Sequence, residues 1–356
     1  MSCFHRLYSK RPLAIVVFTA LTTTCFFVYL TFSQPMSFFT PKSSLHSLES
    51  TPDIVYLQNV QANESEFSSG KNIFFIVSTL SRNGEIKLNA RQACAIESAA
   101  RSNPDWKIFP LFVATTWFNS THNEFISPLL RYCNIHMRFI DWKTFATGTP
   151  VEDLFTNHIL QNSSFVVEHT SDVFRLLTLY KYGGTYVDTD VVVRRSFDLL
   201  LPNFFGLEGR GYVGSAVFNL QASGYGHRFA GAALKDLAEH FDGKVWTANG
   251  PMLLTRNLQK FCNVLDVTKM SRERCGGQLS VLPPDAFFRV RYWQHERFFH
   301  PEHTETVMAS IKDDIVVHLW NKLSSKIQQK VDSSTAYVKL AHEYCPNVIK
   351  ACGEFF

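Results

Sequence analysis

Residues 171–190 read SDVFRLLTLYKYGGTYVDTD, and this stretch predicts a helix, a turn and a short strand that ends in two carboxylates. Apolar side chains recur at the i, i+3, i+4 and i+7 spacing of an amphipathic helix, namely Val173, Leu176, Leu177 and Tyr180. The following Gly-Gly pair is typical of a left-handed helix cap. A β-prone run then places Asp188 and Asp190 at the carboxyl end of a strand, where open α/β sheets bind ligands.

The two carboxylates of Asp188 and Asp190 suit a divalent cation that carries a phosphate group. Mg²⁺ and Mn²⁺ are hard ions that prefer carboxylate and phosphate oxygens. An isolated Asp-x-Asp pair more often marks a solvated turn or a helix cap. Here the pair ends a Gly-Gly-x-Tyr-x-Asp-x-Asp motif that follows Ser-Asp-x-x-Arg-Leu. The combined pattern favours the metal site.

This stretch resembles the donor-binding core of the α1,4-glycosyltransferases of glycosyltransferase family 32. Further motifs of that family follow in the same order, at residues 94–101, 249–256, 282–287 and 317–322. The resemblance implies an α/β fold of the GT-A-like nucleotide-diphosphosugar transferase type. Such a domain has a mostly parallel sheet with flanking helices, and its donor-binding half comes first in the chain.

The resemblance also implies a metal site with three protein ligands. Asp190 would bind Mn²⁺ directly, and Asp188 would contact the metal or the donor and is counted with the catalytic residues. His318, in a His-x-Trp-Asn motif after a strand, corresponds to a late third ligand of the family. Without the family context, His318 is better interpreted as a core histidine packed on Trp320.

Other residues are assigned to the donor sugar by the same resemblance. Asp172 and Arg175 form either a surface ion pair of an i, i+3 type or a pair that binds sugar hydroxyls and phosphate. Tyr186 belongs to the same donor-binding motif. Asn249 corresponds to the side chain that retaining transferases place under the reacting carbon, and the alternative for it is a helix N-cap ahead of Pro251.

The implied activity is that of a retaining α1,4-glycosyltransferase that moves galactose or N-acetylgalactosamine from a UDP-sugar to the terminal sugar of a glycosphingolipid. Two alternatives remain open: transfer of N-acetylglucosamine to glycoprotein glycans, and a non-catalytic, membrane-tethered glycan-binding relative. The sequence departs from the family pattern at Ser215-Ala216 and at Phe288-Arg289, so the transferred sugar is left undecided. A phosphatase of the Asp-x-Asp type is a further, weaker rival.

Composition and the first seventy residues predict a membrane-anchored enzyme. The 356 residues contain 46% hydrophobic residues, and the 35 basic and 31 acidic side chains are scattered, which argues against nucleic-acid binding. An uncharged run at 13–32 follows a positively charged segment and predicts a signal anchor. The expected organisation is a cytosolic tail at 1–12, a transmembrane helix at 13–32, a stem at 33–70 and a lumenal catalytic domain at 71–356, in the Golgi membrane with type II orientation.

Glycosylation acceptors and cysteines agree with a lumenal domain. Asn-x-Ser/Thr acceptors occur at Asn63, Asn119 and Asn162. Six cysteines lie beyond the anchor, and an even set in an oxidising compartment predicts disulfides. Six cysteines allow 15 pairings. Proximity along the chain favours the pairs Cys262–Cys275, Cys345–Cys352 and Cys94–Cys133.

Alternating patterns predict strands and helices in turn, as expected for a parallel sheet. The expected early strands lie at 71–77, 106–113 and 134–140. The expected early helices lie at 89–101 and 122–132. Antiparallel strands are expected within 204–218, a helix at 225–241 and a late strand at 314–318.

Overall fold

The computed structural model describes residues 54–79, 84–113, 115–120, 123–209 and 211–356. The predicted tail, the signal anchor at 13–32 and most of the predicted stem lie outside these residues. Among the described helices, none combines the length and the apolar character needed to cross a bilayer.

The strands of the described residues are β1 (Ile54–Tyr56), β2 (Gln58–Asn59), β3 (Asn72–Val77), β4 (Lys107–Val113), β5 (Trp117–Asn119), β6 (Arg138–Ile140), β7 (Gly184–Val187), β8 (Val191–Val193), β9 (Phe204–Leu207), β10 (Val213–Leu220), β11 (Ser280–Leu282) and β12 (Val316–His318). The α-helices of the same residues are α1 (Ala90–Ser102), α2 (Trp142–Ala146), α3 (Glu152–Thr156), α4 (Val166–Tyr182), α5 (Gly224–His240), α6 (Pro251–Cys262), α7 (Thr304–Ser310), α8 (Asn321–Ser324), α9 (Ala336–Tyr344) and α10 (Pro346–Ala351).

A mixed sheet of eight strands forms the centre of the fold, in the order β11-β9-β10-β7-β3-β4-β6-β2. Strand β10 runs antiparallel to both of its neighbours, and the other neighbouring pairs are parallel. The predicted α/β class, with a mostly parallel sheet and flanking helices, is confirmed. The antiparallel β9–β10 pair also confirms the strands expected within 204–218.

Hydrophobic cores cover both faces of this sheet. Every side chain of β3 is buried, and its residues alternate between the two cores, as expected for a strand covered by helices on both sides. Helix α1 covers one face, and helices α4, α5 and α6 cover the other. A capping box between Asn89 and Gln92 begins α1, close to the predicted start of that helix.

The folded part begins before Lys71. Strand β1 pairs with β5, and β2 pairs with β6 at the edge of the central sheet. Between β2 and β3, Val60 and Phe67 are buried in the core on the α4 side. Residues 54–70, which the sequence predicts to be part of the stem, therefore belong to the folded structure.

The helix expected at 122–132 is wrong. Residues from Asn123 form turns that end in a short 3-10 helix at Leu129–Arg131. Pro128 lacks the N–H group that a helix interior needs. The side chain of Asn123 accepts a hydrogen bond from the Ile126 N–H and donates one to the Ile86 carbonyl, so local side-chain bonds replace the helical ones.

One predicted disulfide is present, and the other two are corrected. Cys262 pairs with Cys275, as predicted. Cys94 in α1 pairs instead with Cys345, at the junction of α9 and α10. Among the described cysteines, Cys133 and Cys352 are free.

The reason for the correction is that the C-terminal helices fold back onto α1. Glu97 of α1 is buried and accepts hydrogen bonds from the Asn347 and Val348 N–H groups at the start of α10. This contact holds the junction of α9 and α10 beside Cys94. Distance along the chain is therefore a poor guide to which cysteines meet.

Candidate active site

Asp188 and Asp190 lie at the carboxyl end of β7, as the sequence predicts. Helix α4 ends at Tyr182, and the next residue, Gly183, caps it with a positive φ of +62° that favours glycine. A Cβ atom at Gly183 would lie 2.3 Å from the backbone nitrogen of Ala222, so no larger residue fits there. The Asp188 N–H then donates to the Ala216 carbonyl of β10 at 2.8 Å, which fixes the first carboxylate relative to the sheet.

His318 reaches the two carboxylates through a second, two-stranded sheet. Strands β8 and β12 pair antiparallel, with His318 opposite Val191. Because Val191 directly follows Asp190, this register brings the histidine beside the carboxylates. The expected late strand at 314–318 is present in shorter form as β12.

The geometry of Asp188, Asp190 and His318 fits a divalent cation. One ligand atom from each residue lies within 4.8 Å of the other two, and His318 Nε2 is 3.3 Å from an Asp190 oxygen. Ligands about 2.1 Å from one octahedral ion lie about 3 Å apart when adjacent. The two carboxylates suit a hard ion such as Mn²⁺ or Mg²⁺, and the imidazole is more typical of a transition metal than of Mg²⁺. These three residues could hold a divalent metal.

A tight turn after β12 holds Asp190 in place. The Asn321 N–H donates to the second Asp190 oxygen at 2.7 Å, and the Leu319 N–H donates to the Asp190 carbonyl at 2.9 Å. Trp320 has a φ of +56°, which is strained for a residue with a Cβ and turns the chain back toward the carboxylate. The Trp320 ring contacts the His318 ring at a centroid distance of 4.2 Å. Trp320 therefore both shapes the turn and orients the histidine.

The charged side chains of this cluster shift one another's pKa values. Burial alone would raise the pKa of Asp190, but His318 and the Asn321 N–H outweigh burial and lower it. Burial alone would lower the pKa of His318, yet Asp190 and Asp188 raise it. Burial raises the pKa of Asp188, and Arg175 opposes that effect. A histidine with a raised pKa must lose a proton before it can bind a metal.

Arg175 is buried at the centre of the site and bonded to protein oxygens. Its guanidinium donates to the Ser171 carbonyl and hydroxyl and to the Ser215 carbonyl and hydroxyl at 2.7–3.2 Å. It also lies 3.3 Å from Asp188 and 3.4 Å from Asp172. The guanidinium therefore joins α4, β10 and the carboxyl end of β7, and it lies beside two carboxylates, the buried Asp172 and the partly exposed Asp188.

Tyr186 and Asp172 lie against the same guanidinium. The Tyr186 ring faces Arg175 at 4.5 Å, and its hydroxyl donates to Asp188. Burial raises the pKa of Asp172 to about 7, although Arg175 opposes the shift. A Cβ atom at Gly250 would lie 2.5 Å from an Asp172 oxygen, so only glycine fits beside this carboxylate.

Asn249 is close to this group, but both ends of its amide are bonded elsewhere. Its nitrogen donates to the Asp242 carbonyl at 2.8 Å, and its oxygen accepts from the Asp242 N–H at 3.1 Å. The N-cap of α6 is Gly250, so the alternative role of Asn249 as the cap is wrong. Asn249 lines a small cavity of about 10 Å³ together with Asp172 and Arg175. A catalytic role of Asn249 stays a prediction.

Glu208 is a carboxylate of the site that the sequence did not reveal. It follows β9, and one of its oxygens would lie 3.0 Å from a Cβ atom at Gly214. Burial raises the pKa of Glu208, His318 opposes the shift, and Asp188 adds to it. Glu208 therefore interacts electrostatically with the cluster of Asp188, Asp190 and His318. A single glutamate in a turn carries no spacing signal, and only the β9–β10 pairing brings it here.

The two segments that depart from the family pattern lie at the edge of the cluster. Ser215 accepts hydrogen bonds from Arg175. Phe288 lies over Gly214 and contacts the His318 ring at 5.6 Å and the Trp320 ring at 5.8 Å. Arg289 pairs instead with Asp314 at 2.7 Å, so its guanidinium is held away from the cluster of Asp188, Asp190 and His318.

The strand order differs from that of the phosphatase rival. A phosphatase of that type has its Asp-x-Asp motif on the first strand, whereas β7 follows six earlier strands of the described chain.

The predicted glycosylation acceptors lie at the surface to different degrees. Asn63 and Asn162 are exposed, and Asn119 is partly exposed. Modification at the three asparagines stays a prediction.

Comparison with known proteins gives the class of this enzyme. A family model described as the glycosyltransferase sugar-binding region containing the DXD motif matches residues 89–204. A second, the α1,4-glycosyltransferase conserved region, matches residues 222–352. The chain is a glycosyltransferase, and its enzyme class is that of the hexosyltransferases.

Individual relatives specify the resemblance further. Rat lactosylceramide 4-α-galactosyltransferase is 28% identical over 289 residues, which cover 80% of this chain and 76% of the relative. Human α-1,4-N-acetylglucosaminyltransferase is 27% identical over 264 residues, 72% of this chain and 75% of the relative. The resemblance to α1,4-glycosyltransferases is thereby confirmed.

The similarity to solved structures is more distant. The PaToxG glycosyltransferase aligns with a TM-score of 0.41 and 15% identity, over 74% of this chain and 90% of that chain. The galactosyltransferase LgtC aligns with a TM-score of 0.33 and 15% identity, over 77% of this chain and 96% of that one.

Proposed function

We propose that this protein is a metal-dependent, retaining α1,4-glycosyltransferase that moves galactose or N-acetylgalactosamine from a UDP-sugar to the terminal sugar of a glycosphingolipid. The cluster of Asp188, Asp190 and His318 at the end of β7 is the observation that carries the proposal. The relatives named for lactosylceramide galactosyl transfer support the choice of sugar and acceptor.

Asp188, Asp190 and His318 would hold the cation, for which we propose Mn²⁺. A bound divalent cation supplies positive charge to the diphosphate that leaves the donor sugar. In the transfer, the acceptor hydroxyl oxygen forms a bond to the anomeric carbon. The bond from that carbon to the diphosphate breaks, UDP takes the electron pair, and the hydroxyl proton is released to solvent.

The residues around Arg175 would orient the donor. The Arg175 guanidinium is already bonded to Ser171 and Ser215 and lies 3.3 Å from Asp188, so we assign it to positioning that carboxylate rather than to a direct phosphate clamp. Asp172 and Tyr186 lie beside it and are the proposed contacts for sugar hydroxyls. Two further parts of the proposal rest on the resemblance to the family. They are retention of configuration at the anomeric carbon and the position of Asn249 under that carbon.

A second candidate donor is a UDP-N-acetylglucosamine that is transferred to glycoprotein glycans. The human α-1,4-N-acetylglucosaminyltransferase covers 72% of this chain at an identity close to that of the galactosyltransferases, and this supports the alternative. Ser215 and Phe288, where the sequence departs from the family pattern, are close enough to the cluster to influence the choice.

We also propose a type II orientation in the Golgi membrane, with residues 13–32 as the anchor and the folded part in the lumen. The uncharged run behind a positively charged segment supports this orientation. The two disulfides, Cys94–Cys345 and Cys262–Cys275, fit an oxidising compartment.

The test is a donor and acceptor matrix. The purified chain is incubated with Mn²⁺ and each of UDP-galactose, UDP-N-acetylgalactosamine and UDP-N-acetylglucosamine, and with lactosyl- or N-acetylhexosaminyl-ended lipids and glycoprotein glycans. We expect one α1,4-linked product, identified by mass spectrometry and glycosidase digestion. A β-linked product would contradict retention, and no transfer with any donor would contradict the function.

A further inference from the structure

A row of ring contacts leads from the metal cluster to the protein surface. The His318 ring contacts Trp320 at 4.2 Å, Trp320 contacts Tyr292 at 6.2 Å, and Tyr292 contacts Trp293 at 4.9 Å. Exposure increases along the row, from 8% for Trp320 to 51% for Tyr292 and 64% for Trp293. We call Tyr292 and Trp293 the aromatic ledge.

The aromatic ledge is held firmly although its rings are exposed. The Trp320 indole N–H donates to the Val290 carbonyl at 2.9 Å, which fixes the chain just before the ledge. The ledge begins the short 3-10 helix Tyr292–Phe298, and Phe298 at the end of that helix is buried. The two rings stand at 89° to each other, so they form a corner rather than a flat patch.

An open cleft of about 270 Å³ lies beside the ledge. Its lining combines apolar and polar groups, from Leu207, Gly209, Thr268, Pro284, Arg291 and Trp293. Arg291 donates to the Glu208 carbonyl at 2.9 Å. A Cβ atom at Gly214 would lie 3.0 Å from a Glu208 carboxylate oxygen and 2.5 Å from the ring of Phe288, which contacts the His318 ring at 5.6 Å. The cleft therefore adjoins the proposed active site.

This combination matches the chemistry of a sugar. A pyranose ring has apolar C–H faces that pack on aromatic rings, and hydroxyl groups that need hydrogen-bond partners. Single exposed apolar residues are ordinary on protein surfaces. The arrangement here is more specific. Two adjacent aromatic rings lie beside a cleft that contains a guanidinium, and both adjoin the proposed glycosyl-transfer site.

We propose that the aromatic ledge binds the acceptor glycan at its second sugar, the one next to the sugar that receives the transferred residue. This inference rests on the proposed function, because it assigns the acceptor to a particular surface of the same site. Trp293 supplies the main packing face, Tyr292 the side of the corner, and Arg291 hydrogen-bond donors. The ledge then selects acceptors that are at least two sugars long.

The test compares acceptors of one and two sugars, methyl β-galactoside and methyl β-lactoside, with UDP-galactose and Mn²⁺. The variants are Trp293→Ala, the conservative Trp293→Phe, and Tyr56→Ala as a control at an exposed tyrosine on β1. We measure kcat and KM for both acceptors, the donor KM, and UDP release without acceptor. Thermal unfolding verifies that each variant is folded.

We expect the wild-type kcat/KM to be about tenfold higher for the lactoside, the size of effect that a well-packed aromatic contact supplies. Trp293→Ala should remove this preference by raising the lactoside KM about tenfold, with the galactoside value, the donor KM and acceptor-free UDP release unchanged. Trp293→Phe should restore most of the preference. Tyr56→Ala should behave as the wild type.

Several results would overturn the ledge proposal. One is a wild-type kcat/KM that is equal for the lactoside and the galactoside. Another is a Trp293→Ala variant whose KM rises equally for both acceptors, or whose donor KM changes. If Trp293→Ala sediments as a monomer where the wild type is a dimer, and its acceptor kinetics are unchanged, a second copy of the chain covers the ledge instead. Transfer in the donor and acceptor matrix without any preference for the lactoside rejects the ledge alone, whereas no transfer anywhere in that matrix rejects the proposed function.

Discussion

His318 Nε2 lies 3.3 Å from an oxygen of Asp190, although the two residues belong to distant parts of the sequence. The antiparallel pairing of β8 with β12 creates this contact, and the Asn321 N–H holds the other Asp190 oxygen. Assembly of these ligands therefore requires the folded chain, and the cation site should be absent from the unfolded protein.

Metal binding should weaken as the pH falls. Asp190 and Asp188 raise the pKa of His318 above its ordinary value near 6.5, so protons compete with the cation at and somewhat above that pH. Below the His318 pKa, the Mn²⁺ affinity measured by calorimetry should fall by about tenfold per pH unit or more. In His318→Ala, binding should be weaker at about pH 8 and should depend less on pH. An unchanged pH slope in that variant would argue against His318 as a ligand.

Replacement of Arg175 by alanine should strongly destabilise the fold. The change leaves the buried Asp172 without its cation and removes partners of Ser171 and Ser215, and breaking a buried pair of this kind costs about 3–5 kcal/mol. Arg175→Lys should lose less stability but cannot restore the forked hydrogen bonds. Urea unfolding gives the comparison.

The control for this prediction is Arg195→Ala, since Arg195 is exposed and its guanidinium donates to the Asp313 carbonyl at the surface. Its unfolding should match the wild type. Equal stability of Arg175→Ala and Arg195→Ala would mean that the buried network contributes little.

Stability should respond to pH through Asp172. Its pKa in the folded protein, about 7, is higher than its value near 3.9 in an unfolded chain. The folded state thus retains a proton that the unfolded state has lost, and stability falls as the pH rises between about 4 and 7. The slope of one such group is at most about 1.4 kcal/mol per pH unit.

Asp172→Asn should remove that dependence. Measured in metal-free buffer, the stability of Asp172→Asn relative to wild type should increase as the pH rises from about 4 to about 7, because only the wild type loses stability over this range. Asp332→Asn, at an exposed aspartate, serves as the control and should follow the wild type. A constant difference between wild type and Asp172→Asn over this range would contradict the raised pKa.

The disulfide between Cys94 and Cys345 should stabilise the domain far more than the free cysteines do. It joins residues 251 positions apart, and loss of a native disulfide typically costs about 2–5 kcal/mol. Cys345→Ser should lower the melting temperature, and Cys352→Ser should leave it nearly unchanged. Non-reducing peptide mapping that found Cys345 bonded to Cys352 would restore the pairing expected from proximity.

Features that depend on local pattern could be predicted from the sequence. The helix before Gly183, the strand that precedes Asp188, and the late strand ending at His318 all follow from periodicity and caps within a few residues. The family resemblance also joins Asp190 with His318, which local pattern alone does not. The structure places Asp188, Asp190 and His318 close together, and their role as metal ligands stays a prediction.

Features that depend on packing between distant segments could not be predicted. Cys94 meets Cys345 because the C-terminal helices return to α1, and Glu208 reaches the cluster through the β9–β10 pairing. Pro128 and the side-chain bonds of Asn123 prevent the helix expected at 122–132. No spacing rule in a single sequence encodes such contacts.

The most direct test measures glycosyl transfer by the full chain as a function of Mn²⁺ after treatment with EDTA. Asp190→Asn is the informative variant, because its amide oxygen can still accept from the Asn321 N–H while the charge needed for the cation is lost. Asp332→Asn is the control. We predict no transfer in EDTA, full recovery with Mn²⁺ in wild type and control, and at least about a hundredfold lower rate in Asp190→Asn. Full activity of wild type in EDTA, or of Asp190→Asn with Mn²⁺, would contradict metal-dependent transfer at this site.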